Sequence, residues 1–366
     1  TVAAGNDVRV VAPHAPGAAL RERGRGVEIV RARYGPDALE RVGYHGAVHT
    51  PLRASLLAPL MLPPFLARLR AVAAREAAEF RPDVVHAHWW MPAGRIARRL
   101  SVPYVVTSHG TDVRLLEKSM WRRLAAPVLR DAARVTTVSE FLAGDVRRLM
   151  PGVSDSIVVT PMPIDLAHFE RGRQATKMSP PRVLFAGNLV ESKGVDVLID
   201  AIAILRGRGV ACELAIVGAG PEESRLRARA SRLALGDAVR WSGFVSQRDI
   251  PEQYGAATVT VLPSRGQAEG LGLVLAEALL AGSAVVGTAA GGIPEIVVDE
   301  RTGLIAKDGD AQDLARQIER LLTDGTLRAR TIVEGQARVR AAHDPRTAAA
   351  RFIALYTAIS RRSGSP

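Results

Sequence analysis

The pattern that most restricts the fold is a repeated punctuation. A short apolar run is followed by a turn bearing glycine, proline or a polar residue, and then by a stretch of helical length. In the first half the runs are Asp83–His88, Pro103–Ser108, Ala133–Ser139 and Ser156–Thr160. In the second half they are Pro181–Gly187, Glu213–Val217, Ala238–Trp241, Thr258–Leu262 and 284–287. Runs without in/out alternation, separated by helices, fit strands buried on both faces of a parallel sheet. Two earlier strands are expected at Val8–Ala12 and Gly26–Val30, and an amphipathic helix at Phe65–Phe80, after an apolar stretch Leu52–Leu62 that Pro63–Pro64 should break. Val2 to Gly5 reads as the end of a helix feeding the first strand, so a preceding strand and helix are expected to be missing from this sequence. Pro161-Met-Pro163 and the polar stretch 171–181 mark a linker. The expected organisation is α/β, with doubly wound halves at 1–168 and 169–344. A last helix, about 345–361, is expected to pack back on the first half.

Composition narrows the class. In 366 residues, 47% are hydrophobic but only 4% aromatic, which suits a core of Ala, Val and Leu. One cysteine, Cys212, leaves no disulfide framework and suits a reducing, cytoplasmic setting. No apolar run reaches the roughly 18 residues of a membrane span. The net charge of +12 is uneven: 23 Lys+Arg against 15 Asp+Glu in residues 1–165, and 26 against 22 in the rest. A basic first half can attract an anionic membrane surface, placing the protein peripherally at the inner face. A compositional bias is the other explanation, since only four of the 49 cations are lysine. No basic patch interleaved with aromatics supports a nucleic-acid partner.

Several stretches carry chemistry. In Ser264–Gly282, Glu269 and Glu277 stand eight residues apart, and a helix is expected to open at Glu269 and end at Gly282. On such a helix they would lie roughly 80° and 12 Å apart. The helix start would offer N–H groups and a positive dipole end to phosphate, while each carboxylate could accept from sugar hydroxyls. Spacing alone leaves open whether these are ligand contacts or surface glutamates. Gly187-Asn-Leu-Val-Glu-Ser-Lys-Gly194 joins a strand to a helix and sets Lys193 as a point charge for an oxyanion; it lacks the spacing of a Walker loop. Gly218-Ala-Gly-Pro221 imitates a dinucleotide fingerprint without its third glycine and reads as a turn. Asp308 and Asp310 resemble a metal-binding pair, but helix capping is preferred. His86 and His88 share one strand face; packing or ligand contact is preferred to metal. His109 ends a strand, where open α/β sheets bind ligands; Gly110 permits close approach and Asp112 can brace the loop.

Taken in order, these segments resemble the retaining glycosyltransferases of family 4, which have the GT-B fold of two Rossmann-like domains facing a cleft. The resemblance rests on Glu269-Gly-Leu-Gly-Leu-Val-Leu-Ala-Glu277, which looks like the family's E-x7-E motif, together with Gly187–Gly194, Val217–Pro221, Gly243-Phe-Val245, Gly291-Gly-Ile-Pro-Glu295, Thr302-Gly-Leu304, His86-Ala-His-Trp89 and His109-Gly-Thr-Asp112. It implies a nucleotide-diphospho-sugar donor and a glycan or lipid-linked acceptor, with no metal and no further cofactor. It also implies roles. Glu277 would hold the ribose hydroxyls and Lys193 the diphosphate. Glu269 and the N–H groups of Gly270, Leu271, Gly272 and Leu273 would meet the transferred sugar and its phosphate. His109 would touch that sugar from the other domain, and Val245 would flank the base. Asn188 stands where the family often has Arg, so one cation on the diphosphate is absent. That departure keeps a non-catalytic sugar-nucleotide-binding homologue in view as an alternative. A nicotinamide-dependent oxidoreductase is disfavoured by the missing third glycine.

Overall fold

The structure, a computed structural model, describes residues 5–40, 58–267 and 269–363. The expected helix end at Val2–Gly5, and the apolar stretch 52–62 as far as residue 57, lie outside the described residues except for Gly5 itself.

The first half opens with β1 (Val8–Pro13), β2 (Arg21–Gly24) and β3 (Val27–Ala32), in the order β1-β3-β2. β1 and β3 are parallel and β2 is an antiparallel edge strand. Sequence reading missed β2, because Arg-Glu-Arg-Gly carries no apolar signal. Its ladder to β3 and the bonds from Arg21 to Glu28 (3.0 Å) and Glu76 (2.7 Å) hold it. Helix α1 (Ala58–Phe80) lays Phe65, Leu69 and Val72 on Val30, Ala32 and Tyr34. Pro63 and Pro64 were expected to end an element; they lie inside α1 instead. They fall in its second turn, where two backbone bonds are lost, while the apolar face continues across them through Met61, Leu62, Phe65 and Leu66. Burying that face at about 1.5–3 kcal/mol per large side chain outweighs the missing bonds.

A second sheet, β4 (Val85–His88), β5 (Tyr104–Ser108), β6 (Arg134–Thr137) and β7 (Ile157–Val159), is parallel in chain order. Helices α2 (Ser119–Arg130) and α3 (Glu140–Leu149) connect its strands. Among the described residues no ladder joins the two sheets of this half.

The second half is one parallel sheet of β8 (Arg182–Ala186), β9 (Glu213–Val217), β10 (Val239–Gly243), β11 (Val259–Leu262), β12 (Ala284–Thr288) and β13 (Leu304–Ala306), ordered β10-β9-β8-β11-β12-β13. Its helices are α4 (Val195–Gly207), α5 (Glu223–Arg232), α6 (Ile250–Ala256), α7 (Leu273–Leu280), α8 (Ala311–Thr323) and α9 (Gly325–His343). Val183, Leu184, Phe185, Leu214, Ile216, Val259, Val261, Val285 and Val286 are wholly buried, as strands covered on both faces require. The winding reverses between β8 and β11. Loops leaving their carboxyl ends therefore part in opposite directions and open a crevice there.

At the linker, Ile164 N donates to the His343 carbonyl (2.9 Å), and His343 Nδ1 lies 2.7 Å from the Met162 carbonyl. The end of α9 is thus fastened to the crossing. Helix α10 (Pro345–Ser363) then returns to the first half, where the Tyr356 hydroxyl lies 2.6 Å from His86 Nδ1. No helix among the described residues is long and apolar enough to cross a membrane.

Candidate active site

The second-half wall of the crevice is built from the loops after β8 and β11. After Gly187, residues Glu191–Lys193 make one tight turn, and Gly194 leads into α4. The Lys193 ammonium forms an ion pair with the Glu269 carboxylate. Ser264 Oγ donates to the same carboxylate oxygen (3.3 Å), and Thr288 Oγ1 donates to the Ser264 carbonyl (2.5 Å). Helix α7 begins at Leu273, four residues later than expected, because Gly272 adopts φ 82° and interrupts the helical path. Glu269 is therefore a loop residue, and the helical spacing expected between the two glutamates does not apply. The Glu269 carbonyl accepts from Gly292 N (3.0 Å). A Cβ on Gly291 would stand 1.8 Å from that carbonyl, so only glycine lets the two loops meet. The positive end of the α7 dipole lies at Leu273, beside the Gly270–Gly272 turn.

Glu277 projects from the middle of α7. The Tyr254 hydroxyl of α6 donates to its Oε2 (2.9 Å). Burial pushes the Glu277 carboxyl up to about 7, partly offset by that hydrogen bond. Burial, with the carboxylate beside it, holds the Tyr254 phenol well above its usual range. Tyr254 was not anticipated: it is 23 residues from Glu277 and on another helix. After β10, Val245 packs on the core, while its neighbour Phe244 is 84% exposed. Asn188 is exposed after β8.

The first-half wall carries His109 after β5. The N–H groups of His109 and Gly110 both donate to Asp112 Oδ1 (3.0 and 3.1 Å), and Trp90 Nε1 donates to the Asp112 carbonyl (2.9 Å). Asp112 is buried and braces the loop, as its position suggested. His109 Nε2 lies 2.9 Å from His88 Nδ1. Burial lowers the pKa of both rings, and proximity to His109 lowers that of His88 further.

The two walls touch. Ser139 Oγ donates to the Gly270 carbonyl (2.7 Å). The Glu295 carboxylate accepts from Glu140 N (2.9 Å) and Phe141 N (2.8 Å), the first N–H groups of α3. A Cβ on Gly270 would stand 2.8 Å from the His109 carbonyl. His109, Gly270, Glu269 and Lys193 therefore converge, with Leu271 and Leu273 next to them and Glu277 farther along α7. Asn188 and Val245 stand on other loops at the carboxyl edge of the same sheet.

The remaining candidates separate. Asp310 Oδ1 accepts from Asp313 N (3.0 Å) as the cap of α8, whereas Asp308 Oδ2 accepts from Gly266 N (2.7 Å) and tethers the β11 loop. Among the described residues, His86 and His88 belong to no group of three or more ligand atoms close enough to share a cation. Among the described residues His14, Asp37 and Glu40 form such a group, and each is already engaged: His14 with Glu40, Glu40 with the N–H groups of Tyr34 (2.6 Å) and Gly35 (3.2 Å), Asp37 with Arg33 (2.6 Å).

Chemically, the crevice offers one ammonium and a helix start to oxyanions, carboxylates to hydroxyls, and a neutral imidazole from the opposite side.

Comparison with known proteins agrees with this layout. The family model "Glycosyltransferase Family 4" matches residues 2–168, and "Glycosyl transferases group 1" matches residues 168–338. A D-inositol 3-phosphate glycosyltransferase of Acidothermus cellulolyticus is 34% identical over 293 residues, 72% of this chain and 64% of that protein. The amylovoran biosynthesis glycosyltransferase AmsK of Erwinia amylovora is 30% identical over 69% of this chain and 64% of its own length. The chain thus spans less than two thirds of these relatives. In three dimensions it resembles the sucrose-phosphate synthase of Thermosynechococcus elongatus (TM-score 0.78, 23% identity, 98% of this chain and 90% of that one). It also resembles Anabaena HepE in complex with UDP-glucose (TM-score 0.68, 22% identity, 80% and 82%). Both likenesses are of fold: two Rossmann-like domains about a cleft, the GT-B arrangement. The two family models together run from residue 2 to residue 338, and the chain belongs to the group 1 glycosyltransferases of glycosyltransferase family 4.

Proposed function

We propose that the protein transfers a sugar from a nucleotide-diphospho-sugar to a hydroxyl of a glycan or lipid-linked acceptor, with retention of anomeric configuration and without a metal. The observation that carries this reading is the Lys193–Glu269 pair at the sheet's winding reversal, in the same crevice as the start of α7. In this reading Glu277 accepts hydrogen bonds from the ribose hydroxyls and Val245 flanks the base. The diphosphate lies against Lys193, Asn188 and the N–H groups of Gly270, Leu271, Gly272 and Leu273. His109 and Glu269 address the transferred sugar from opposite sides.

The acceptor oxygen attacks the anomeric carbon on the face from which the diphosphate leaves. One C–O bond forms as the other breaks, and the acceptor proton passes to a diphosphate oxygen. The protein's share is to hold fixed donors where the leaving charge develops. The HepE complex with UDP-glucose supports a nucleotide-sugar donor, and the relatives named for polysaccharide and inositol-phosphate glycosylation support a hydroxyl acceptor. The basic first half supports work at an anionic membrane face from the cytoplasmic side.

Turnover of UDP-, GDP- and ADP-sugars by the purified chain tests the reading. Lys193→Ala and Glu269→Ala are each expected to lower kcat/KM by about 100-fold or more, the scale of losing one fixed transition-state partner. Wild-type rates in both variants would overturn the assignment. Asn188 favours a second reading, binding without transfer. Tight nucleotide binding with no turnover of any donor would establish that one instead.

A further inference from the structure

His86 and His88 lie two residues apart on β4, so their rings leave the same face of the sheet. They stack, with centroids 4.6 Å apart and planes at 24°. His88 in turn lies beside His109, edge to edge, with centroids 5.1 Å apart and planes tilted by 31°. Behind His86, Phe352 and Tyr356 of α10 close the column at 5.1 and 5.8 Å. Hydrogen bonds pin it at both ends. The Tyr356 hydroxyl lies 2.6 Å from His86 Nδ1 and Thr107 Oγ1 lies 2.5 Å from His86 Nε2. His88 Nδ1 lies 2.9 Å from His109 Nε2. A row of rings thus runs from the last helix to the crevice.

The contact between His88 and His109 joins two ring nitrogens. It is a hydrogen bond only when one of them carries a proton and the other does not. Burial, joined by the neighbouring rings at His86 and His88, disfavours charge along the row: the pKa of His86 falls to about 3, and those of His88, which keeps an exposed edge, and His109 shift the same way. Between two neutral rings the single shared proton decides the state of His109. If His109 Nε2 donates to His88, its Nδ1 is an acceptor; if Nε2 accepts, Nδ1 carries the proton.

We infer that His88 is a positioning residue: it orients the His109 ring and sets which of its nitrogens is protonated, so that Nδ1 meets a hydroxyl of the donor sugar in one defined state. This rests on the reading of the crevice as a donor-sugar site. The plainer role for His88 is to fill space between His86 and His109, and a leucine would do that as well.

Two substitutions separate these roles. In His88→Asn the side-chain amide reaches about where imidazole Nδ1 stands, whereas His88→Leu keeps bulk and loses the bond. With 15N-labelled histidine, and His109 assigned by its loss in His109→Gln, the wild type is expected to show one tautomer at His109. His88→Leu should show an average of two. In turnover, His88→Leu should lose about tenfold in kcat, about 1.4 kcal/mol, with donor KM changed less than about twofold. His88→Asn should recover kcat to within about threefold. The inference is overturned if folded His88→Leu, with wild-type circular dichroism, keeps both kcat and a single His109 tautomer. If no donor is turned over by the wild type, the proposed activity fails separately, and the nitrogen spectra still decide: a tautomer mixture in the wild type rejects the role of His88.

Discussion

Glu269 and Glu277 belong to one motif, yet their surroundings differ. Glu269 faces an ammonium, whereas Glu277 has a phenol hydroxyl and little solvent. Removal from water raises the carboxyl of Glu277 to about 7, against 4.5 for the free group. The folded state therefore holds this proton after the unfolded state has lost it. The stability linked to Glu277 is full below about 4.5 and is lost as pH rises through about 7. In the proposed reading ligand binding runs the other way, because ribose hydroxyls would donate best to the ionised carboxylate. Nucleoside diphosphate affinity, measured by calorimetry, should rise from pH 6 to pH 8. Glu277→Gln should flatten that rise and weaken binding by roughly 10–100-fold at pH 8, the loss of one or two charge-assisted bonds. Tyr254→Phe removes the bond that favours ionisation, so the midpoint should move to higher pH. An unshifted midpoint would show that the phenol does not control the carboxylate. Sequence made the place of Glu277 legible, on a helix within an ordered motif, and it stands on α7. Its partner Tyr254 left no local signal, since the pair forms only when α6 packs beside α7.

Helix ends decide how the two walls meet. Spacing suggested a helix opening at Glu269, but a left-handed Gly272 moves the start to Leu273 and frees Glu269 to turn towards Lys193. Helix α3 has a less local cap. Ser139 Oγ accepts from Leu142 N (3.2 Å), while the next free N–H groups, those of Glu140 and Phe141, go to Glu295 of the other half, 155 and 154 residues away. A carboxylate at a helix N-terminus satisfies both orphan donors and the dipole. Because it crosses the cleft, its contribution of about 1–2 kcal/mol is present only when the halves are together. Glu295→Ala should therefore shift the balance towards an open form by roughly tenfold. Small-angle scattering should show a larger radius of gyration, and donor KM should rise several-fold while the His109 tautomer stays unchanged. Identical scattering and KM would show that the contact holds nothing closed. Glu295 was visible as part of an ordered motif, but a cap supplied across a cleft has no sequence spacing to reveal it. The same limit explains β2, an all-polar edge strand held by its partner's ladder, and α1, whose continuous apolar face carries it through two prolines.

The whole molecule was legible where burial is two-sided. Strands covered on both faces must be apolar throughout, so the six-stranded sheet of the second half and β4–β7 could be read as runs. The division of the first half into two sheets could not, because pairing between distant strands is not written in either strand. Charge is also a property of the whole. The excess of 23 Lys+Arg over 15 Asp+Glu in residues 1–165 gains meaning only if some of it is displayed together. On and just before α2, Arg114, Lys118 and Arg123 are exposed, with one exposed acid, Glu117, among them in the chain and with Met120 (58% exposed) and Leu124 (38%) in the same stretch. These residues follow the His109 loop in the chain, so a membrane bound there would bring a lipid-linked acceptor to the His109 side of the cleft. Three cations near an anionic surface contribute on the order of 1 kcal/mol each, or roughly 100-fold in binding. Vesicles rich in anionic lipid should co-sediment the protein at about 0.1 M salt and release it near 1 M, as the screening length falls from about 10 Å to about 3 Å. Lys118→Glu with Arg123→Glu should abolish co-sedimentation while leaving nucleotide affinity at the wild-type value, because neither side chain belongs to the donor crevice. Sedimentation indifferent to anionic content would mean that the positive charge reflects composition alone, and that the acceptor reaches the cleft from solution.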